Sequence, residues 1–251
     1  MFIHNSEFII QKMLCNDRII VLSHTRYTDT SIIVQALSEE HGRISLMVRG
    51  FGGKSRSKLG VFHPMALLDA VYSYREERQV QQLTEYKPSP SLSNCTADLR
   101  KSTLLMFLAE VVSKSIREET ADQSQFAFID TAVQILEQMQ AGIQNFHIAF
   151  LLKLSRHLGF NLNPLEPGQQ FFDLESGLGT VARPMHRNFI TDEQFAQLYQ
   201  FADCPFDQLQ QIPLSRTGRD FLLTTTLLWY GFRIPTMKGV NSYSILHEVF
   251  N

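Results

Sequence analysis

The chain has 251 residues, 44% of them hydrophobic, and a formal net charge of −2. That much apolar material excludes a disordered chain and supports one large or two modest folded domains. The near-neutral total withholds the overall basic signature of a nucleic-acid binder, but the charge is uneven: residues 1–90 carry eleven Lys/Arg against nine Asp/Glu, residues 91–251 twelve against sixteen. Cys15, Cys95 and Cys204 are far apart and form no CxxC pair. A reducing compartment without a disulfide framework is expected. No run approaches twenty apolar residues, and the start, Met1–Leu14, is broken by Glu7 and Gln11 with no small-residue cleavage site after it. Neither a membrane span nor a secretory leader is expected, and the location is read as cytoplasmic.

Residues 1–14 are taken as an N-terminal extension and 15–87 as a β domain. Arg18–Thr25, Thr30–Ser38 and Arg43–Arg49 are rich in Ile, Val, Leu and Thr, with Glu39-Glu40-His41-Gly42 as the turn between the last two. In the third strand Ile44, Leu46 and Val48 alternate with Arg43, Ser45, Met47 and Arg49, so one face meets a core and Arg43 and Arg49 lie on the other. Two more strands are expected near Ala66–Ser73 and Gln79–Tyr86. Five short strands in about seventy residues suit a small closed barrel of OB type, with an SH3-like barrel as the rival.

The Pro- and Ser-rich run Lys87–Ser93 ends the strands, and 88–96 is assigned as a linker. From 97 to 251 the periodicity is helical. Leu104, Leu105, Leu108, Val111 and Val112 recur at three- and four-residue spacing, with Lys101, Glu110, Lys114 and Arg117 elsewhere on the wheel. Ala127–Gln140 and Phe146–Leu158 repeat the pattern and stop at Gly142 and Gly159. After an irregular stretch, 161–187, Thr191 with Glu193 or Gln194 has the form of a helix N-cap. Ser215–Tyr230 is a last long helix, and the tail Gly231–Asn251 has strand-like and loop-like pieces. The fold class is α+β: a five-stranded OB barrel followed by an α-helical domain.

The strongest local feature is the basic, glycine-rich segment Val48–Leu59. No acidic residue occurs between Glu40 and Asp69, while Arg43, Arg49, Lys54, Arg56 and Lys58 do. Its glycines allow close backbone approach, its cations release counterions from phosphates, and Phe51 is placed to stack on a base. The plain alternative is a solvated loop without a ligand. Gly53-Lys54-Ser55 is not a nucleotide-binding P-loop, because the required earlier glycine is Val48 and no apolar helix start follows. The eight histidines form no i,i+4 pair or ligand cluster, and no Gly-x-Ser-x-Gly elbow occurs. Nothing points to an enzyme. In the helical half, Lys153 and Arg156 border Leu151, Leu152, Leu154 and Leu158, either as a basic rim for a peptide with an apolar, carboxylate-bearing end or as the solvated edge of a core helix. Trp229, Tyr230 and Phe232 are taken as core packing first and an interface second.

Together these segments resemble the RecO recombination mediators. The resemblance rests on Ile20–Val34, on Glu40–Gly50 leading into a basic loop, and on Ser57-Lys58-Leu59-Gly60 with His63-Pro64. It extends to Leu151–Phe160, ending in Leu-Gly-aromatic, and to the tail Leu246–Phe250. It implies binding to single- and double-stranded DNA, annealing of complementary strands, and help in loading RecA onto DNA coated with single-strand-binding protein, in concert with RecR. It places the protein in DNA-damage repair, with the C-terminal tail of single-strand-binding protein as a partner. The DNA contacts it implies are Arg43, Arg49, Lys54, Arg56 and Lys58, with Arg26 a weaker candidate on the first hairpin; Phe51 as a stacking ring, and Lys153 and Arg156 as partner-binding candidates beside the plain core-helix alternative, rest on the residues themselves. Many members of the family carry a four-cysteine zinc site after the Leu-Gly-aromatic motif, but 161–187 here contains no cysteine. A degenerate zinc-site region without a cofactor is expected, with Phe171 and Phe172 packing in its stead. The readings that compete with DNA repair are a protein-interaction adaptor built on an OB-type barrel and an RNA-binding OB protein.

Overall fold

The computed structural model describes residues 13–50, 59–117 and 120–250. Five strands come first: β1 (Met13–Thr28), β2 (Ser31–Ser38), β3 (Gly42–Arg49), β4 (Leu67–Tyr74) and β5 (Gln81–Pro88). They close into a barrel in the order β1-β2-β3-β5-β4, with β3 and β5 parallel and the other pairs antiparallel. This is the OB solution. β1 begins at Met13, so the last two residues assigned to an extension already pair with β4.

Strand periodicity divides the apolar side chains of β1 between two cores. Ile19 and Val21 join Ile32, Val34, Leu46, Val48 and Phe62 inside the barrel. Ile20 and Leu22, with Leu37, Met65 and Leu67, join the core of the helical half. An uninterrupted Ile-Ile-Val-Leu run therefore has both faces buried.

The helical half contains α1 (Ser93–Ala97), α2 (Leu99–Ser115), α3 (Gln123–Gln138) and α4 (Phe146–His157). α2 buries Leu104, Leu105, Phe107, Leu108, Val111 and Val112, the expected stripe with Phe107 added. Lys101, placed with the polar residues by its sequence, is instead buried and donates to the Glu137 carbonyl at 2.9 Å. The Glu137 carboxylate accepts from the amides of Asn94 and Cys95, both at 2.8 Å, and so caps α1. α1 lies within the stretch assigned as a linker, and its Cys95 is fully buried. Gly142 precedes α4 at a φ of +72°, and an added Cβ there would sit 2.7 Å from the Gln210 nitrogen.

A small sheet follows, in the order β7-β6-β8: β6 (Phe171–Asp173), β7 (Leu178–Thr180) and β8 (Phe189–Thr191). Thr191 and Gln194 then form a capping box that opens α5 (Asp192–Asp203). α6 (Arg216–Arg233) starts on a Ser215 cap and buries Trp229 and Tyr230; Phe232 is 36% exposed. Tyr230 donates to the Leu151 carbonyl at 2.6 Å, joining α6 to α4. The tail is not strand-like. Ser242–Phe250 forms α7, whose first turn is capped from α2: Glu110 accepts from the amides of Asn241 and Ser242. That cap comes from a residue 131 positions earlier, so no local pattern announces it.

His147 on α4 is buried against the Phe107 and Phe250 rings, 6.0 Å away in each case, and its Nδ1 has no partner. Burial, reinforced by the positive charge of Arg219, lowers its pKa from 6.5 to about 3. The unfolded chain takes a proton near pH 6.5 that the folded chain refuses until about pH 3, so stability falls as pH drops through that window. In His147→Leu the decline of unfolding free energy between pH 6.5 and 4, followed by urea titration, should be shallower by roughly 1.4 kcal/mol per pH unit. Identical pH slopes in the two proteins would contradict this.

Candidate nucleic-acid interface

At one end of the barrel the β1–β2 turn meets the end of β3. The turn is tightened by a 2.5 Å hydrogen bond between the Thr28 and Ser31 hydroxyls. Arg26 lies opposite Ile32, which in turn lies opposite Val48; Arg49 lies opposite Ser31. Arg26 and Arg49 are both exposed, and Tyr27, next to Arg26 on β1, is 61% exposed. Tyr27 was not singled out from the sequence, although it sits inside the Arg26-Tyr27-Thr28 segment that carries the family resemblance.

The basic loop is attached to this rim at both ends. Gly50, at a φ of +88°, donates to the Thr30 carbonyl at 2.9 Å and turns the chain outward. The chain returns through Leu59 and Val61, packed against the barrel core, to the fully buried Phe62. The Phe62 carbonyl is 3.0 Å from Nδ1 of His24, two residues from Arg26. Phe51, Lys54, Arg56 and Lys58 fall within residues 51–58, outside the described residues.

Arg43 has a different task from the one its alternation implies. Its guanidinium donates to the Ser113 carbonyl at 2.5 Å, the Ile116 carbonyl at 3.1 Å and the Ser113 hydroxyl at 3.1 Å. These groups end α2, where the helix dipole favours a cation. Burial and the neighbouring Arg117 lower the pKa of Arg43. The outer face of β3 is therefore open at Arg49 and covered by α2 at Arg43. Around this contact lies a groove of about 520 Å³ lined by Gln35, His41, Arg43, Ser45, Arg78 and Arg117, among others. Gln81 donates to the carbonyls of Arg75 and Arg78, both at 2.8 Å, fixing the β4–β5 turn that carries Arg78. Arg117 escaped the sequence reading as a neighbour of the barrel because only the α2–β3 contact brings it there; Arg78 was legible only as part of a charged turn. A cavity of about 640 Å³ elsewhere on the barrel is lined by the acidic Asp17, Glu39, Glu40, Asp69 and Glu85. Arg18 and Lys87 also line that cavity, Glu76 and Glu77 the groove, and Asp29 is exposed in the β1–β2 turn.

Lys153 and Arg156 are engaged within the fold. Both donate to the Ala202 carbonyl, at 3.0 and 3.1 Å, and Arg156 also pairs with Asp203 at 2.9 Å. They close the C-terminal end of α5, and Lys153 lies 5.6 Å from the centre of the Phe206 ring. Burial and Arg156 lower the Lys153 pKa. Lys153 is half-buried at this helix edge, whereas Arg156 and Asp203 remain exposed.

Residues 13–91 match the family described as recombination protein O N terminal, and residues 96–238 match recombination protein O C terminal. The chain belongs to the RecO family. It is 30% identical over 236 residues to the DNA repair protein RecO of Bacteroides fragilis, covering 92% of this chain and 97% of that protein. The RecO of Azobacteroides pseudotrichonymphae is 27% identical over 241 residues, covering 95% and 100%, and that of Flavobacterium psychrophilum 28% over 242 residues with the same coverage. Membership assigns the chain to DNA repair and recombination. It also points to a mediator rather than a catalyst, with DNA and recombination proteins as the classes of partner. Among the described residues no helix is long and apolar enough to cross a membrane.

The zinc site known from part of the family does not fit the donors present. Residues 161–187 offer no thiolate, and among the described residues no group of three His, Cys, Asp or Glu is arranged to hold a metal. The small sheet is held instead by Phe172, 5.0 Å from the Phe195 ring and 6.4 Å from Trp229, and by the edge contact of Phe171 with Phe189 at 5.5 Å. His186 adds polar links, 3.4 Å from Asp173 and 3.6 Å from Glu175.

Arg43→Ala should lose about 2 kcal/mol of unfolding free energy, because it removes charge-assisted bonds and leaves the end of α2 uncapped. Arg49→Ala should stay within about 0.5 kcal/mol of the parent. Equal effects in urea titrations would contradict this division of labour.

Proposed function

We propose that this RecO-family chain binds single- and double-stranded DNA through the β1–β2 rim and the basic loop, and anneals complementary strands. One observation carries the reading. Arg26 and Tyr27 near the end of β1 and Arg49 at the end of β3 are all exposed and lie at the same end of the barrel, on either side of the start of β2, and Gly50, which leads into a segment bearing Phe51, Lys54, Arg56 and Lys58, bonds to Thr30 there. No bond is made or broken. Cations released from their own solvent shell neutralise phosphates and free condensed counterions, so two backbones approach with less repulsion. Aromatic rings hold unpaired bases without regard to sequence.

By extension from the family, the chain acts with RecR and with single-strand-binding protein to load RecA, in the cytoplasm with the nucleoid. Lys153 and Arg156 both bond to the end of α5, and of the two Arg156 stays exposed to a partner. The protein works without zinc; stoichiometric zinc in the purified protein would contradict that part of the reading.

The test is a fluorescence-anisotropy titration of labelled oligo-dT at several salt concentrations, with an annealing assay on complementary oligonucleotides. Lys54→Glu/Arg56→Glu/Lys58→Glu should reduce the slope of log K against log salt by about 2, since each lost single-strand phosphate contact removes about 0.7. Annealing should slow in parallel. Unchanged slope and rate would remove the loop from the interface. Binding to RNA in preference to DNA of the same sequence would favour an RNA-binding role, and no salt-sensitive binding to either would favour an adaptor.

A further inference from the structure

β1 changes character at a bulge. Its register on β2 shifts between Val21 and Ser23, and from Ser23 to Thr28 every residue is exposed although the pairing with β2 continues. A bulge bends its strand and re-aims the side chains beyond it. On this exposed arm His24 lies opposite Val34 and Arg26 opposite Ile32, so the two share one face, two residues apart. Arg26 belongs to the rim already described; His24 has so far served only as a partner of Phe62.

That partnership fixes the tautomer of His24. Its Nδ1 lies 3.0 Å from the Phe62 carbonyl. A carbonyl oxygen accepts and cannot donate, so Nδ1 carries the proton. Phe62 is fully buried, with its ring 4.7 Å from that of Tyr86, so the barrel core sets where this acceptor sits. The neutral ring is then left with a bare lone pair on Nε2, on the side away from Phe62. Nε2 has no partner among the described residues, and the residue is exposed. Facing a phosphate oxygen, that lone pair sets acceptor against acceptor and forms no bond. A second proton turns Nε2 into a cationic donor and leaves the Nδ1 bond as it was, because Nδ1 donates in both states. The charged neighbours are few. Arg26 and Asp29 lie on the arm and its turn, β2 carries no charged residue, and Arg49 ends β3. The chain from 59 to 66 adds His63, whose Nδ1 is 2.9 Å from the Pro64 carbonyl.

We propose that His24 is a further phosphate-contacting residue of the rim, and that it makes its contact in the doubly protonated form alone. The inference rests on the reading that single-stranded DNA lies on the β1–β2 rim. An imidazole is the side chain that ordinarily changes charge between pH 8 and 5. A phosphate held against Nε2 favours the charged ring, so DNA binding and proton uptake are linked. Affinity for a phosphate backbone therefore rises as pH falls, through one named atom, while the arginines of the rim stay charged throughout. The neutral ring is no passive bystander: its lone pair keeps a phosphate from that position at higher pH.

The experiment follows the anisotropy of labelled oligo-dT across a salt series at about pH 8 and about pH 6, a span over which imidazole titrates. It compares the full chain with His24→Asn, His24→Arg and His63→Asn. Asn keeps a donor near the place of Nδ1 but takes up no proton. In the parent the slope of log K against log salt should steepen by up to about 0.7 at the lower pH, the share of one single-strand phosphate contact. Affinity should rise about threefold, the worth of one exposed ion pair. His63→Asn should behave as the parent does. His24→Asn should match the parent at the higher pH and gain nothing at the lower. His24→Arg should bind at both as the parent binds at the lower, and the melting temperatures should agree. Calorimetry at neutral pH in two buffers of different ionisation enthalpy reads the proton itself: the parent takes up part of one on binding oligo-dT, and His24→Asn takes up none. Salt-sensitive binding by the parent with the same slope at both pH values overturns the proposal and leaves the rim reading standing. So does a gain at the lower pH that persists in His24→Asn or, should that variant melt early, in His24→Arg. Absence of salt-sensitive binding at either pH overturns the rim reading and this proposal with it.

Discussion

The structure depends on β1 serving two cores at once. Ile19 and Val21 fill the barrel while Ile20 and Leu22 pack under the helices, so the barrel and the helical half share an apolar wall. Neither side keeps its β1 packing without the other, because separating them would expose the outward pair to water. Two guanidiniums reinforce the wall at its margins. Arg18 of β1 pairs with Asp130 of α3 at 2.7 Å, and Arg43 of β3 closes the end of α2. Both bonds run from the barrel to helices, so two of the first domain's cations are spent on holding the structure together.

That expenditure explains the arrangement of the rest. With Arg18 and Arg43 engaged, exposed cations among the described residues of the barrel include Arg26 and Arg49 at the β1–β2 end, Arg78 on the β4–β5 turn and Lys87 beside Asp69. Asp17, Glu39, Glu40, Asp69 and Glu85 line a separate cavity. A chain of net charge −2 can thus present a local basic surface to a phosphate backbone, because beyond a Debye length of about 8 Å the distant charges are screened. The helical half follows the same economy. Lys101, Lys153 and Arg156 satisfy carbonyls at helix ends, while Arg183 and Arg187 stay exposed beside the small sheet, Arg183 over the Phe189 ring.

What the sequence disclosed follows from the range of the interactions involved. The alternation of β3, the stripe of α2 and the capping box at Thr191 and Gln194 are set by neighbours within a few residues, and each stands where its pattern places it. The family resemblance was legible for a similar reason, since its motifs are short and ordered along the chain. Arg43 was legible as an outward residue of β3 but not as the cap of a helix seventy residues away. Lys101 has a side chain that belongs on a polar face by type, and only the Glu137 carbonyl opposite it makes burial tolerable. α7 lacks a local start signal because its cap is Glu110 of α2. Tyr27 differs: its type and place were visible, and what was missing was that the rim leaves it uncovered.

The central claim is that single-stranded DNA lies on the β1–β2 rim and its loop. Ultraviolet cross-linking to oligo-dT bearing 5-iododeoxyuridine, followed by mass-spectrometric mapping of the adducts, tests it most directly, since aromatic side chains stacked on a base react most readily. The account predicts adducts at Tyr27 and Phe51. Adducts confined to aromatic residues of the helical half, such as Tyr199 or Phe232, with none at Tyr27 or Phe51, would contradict it.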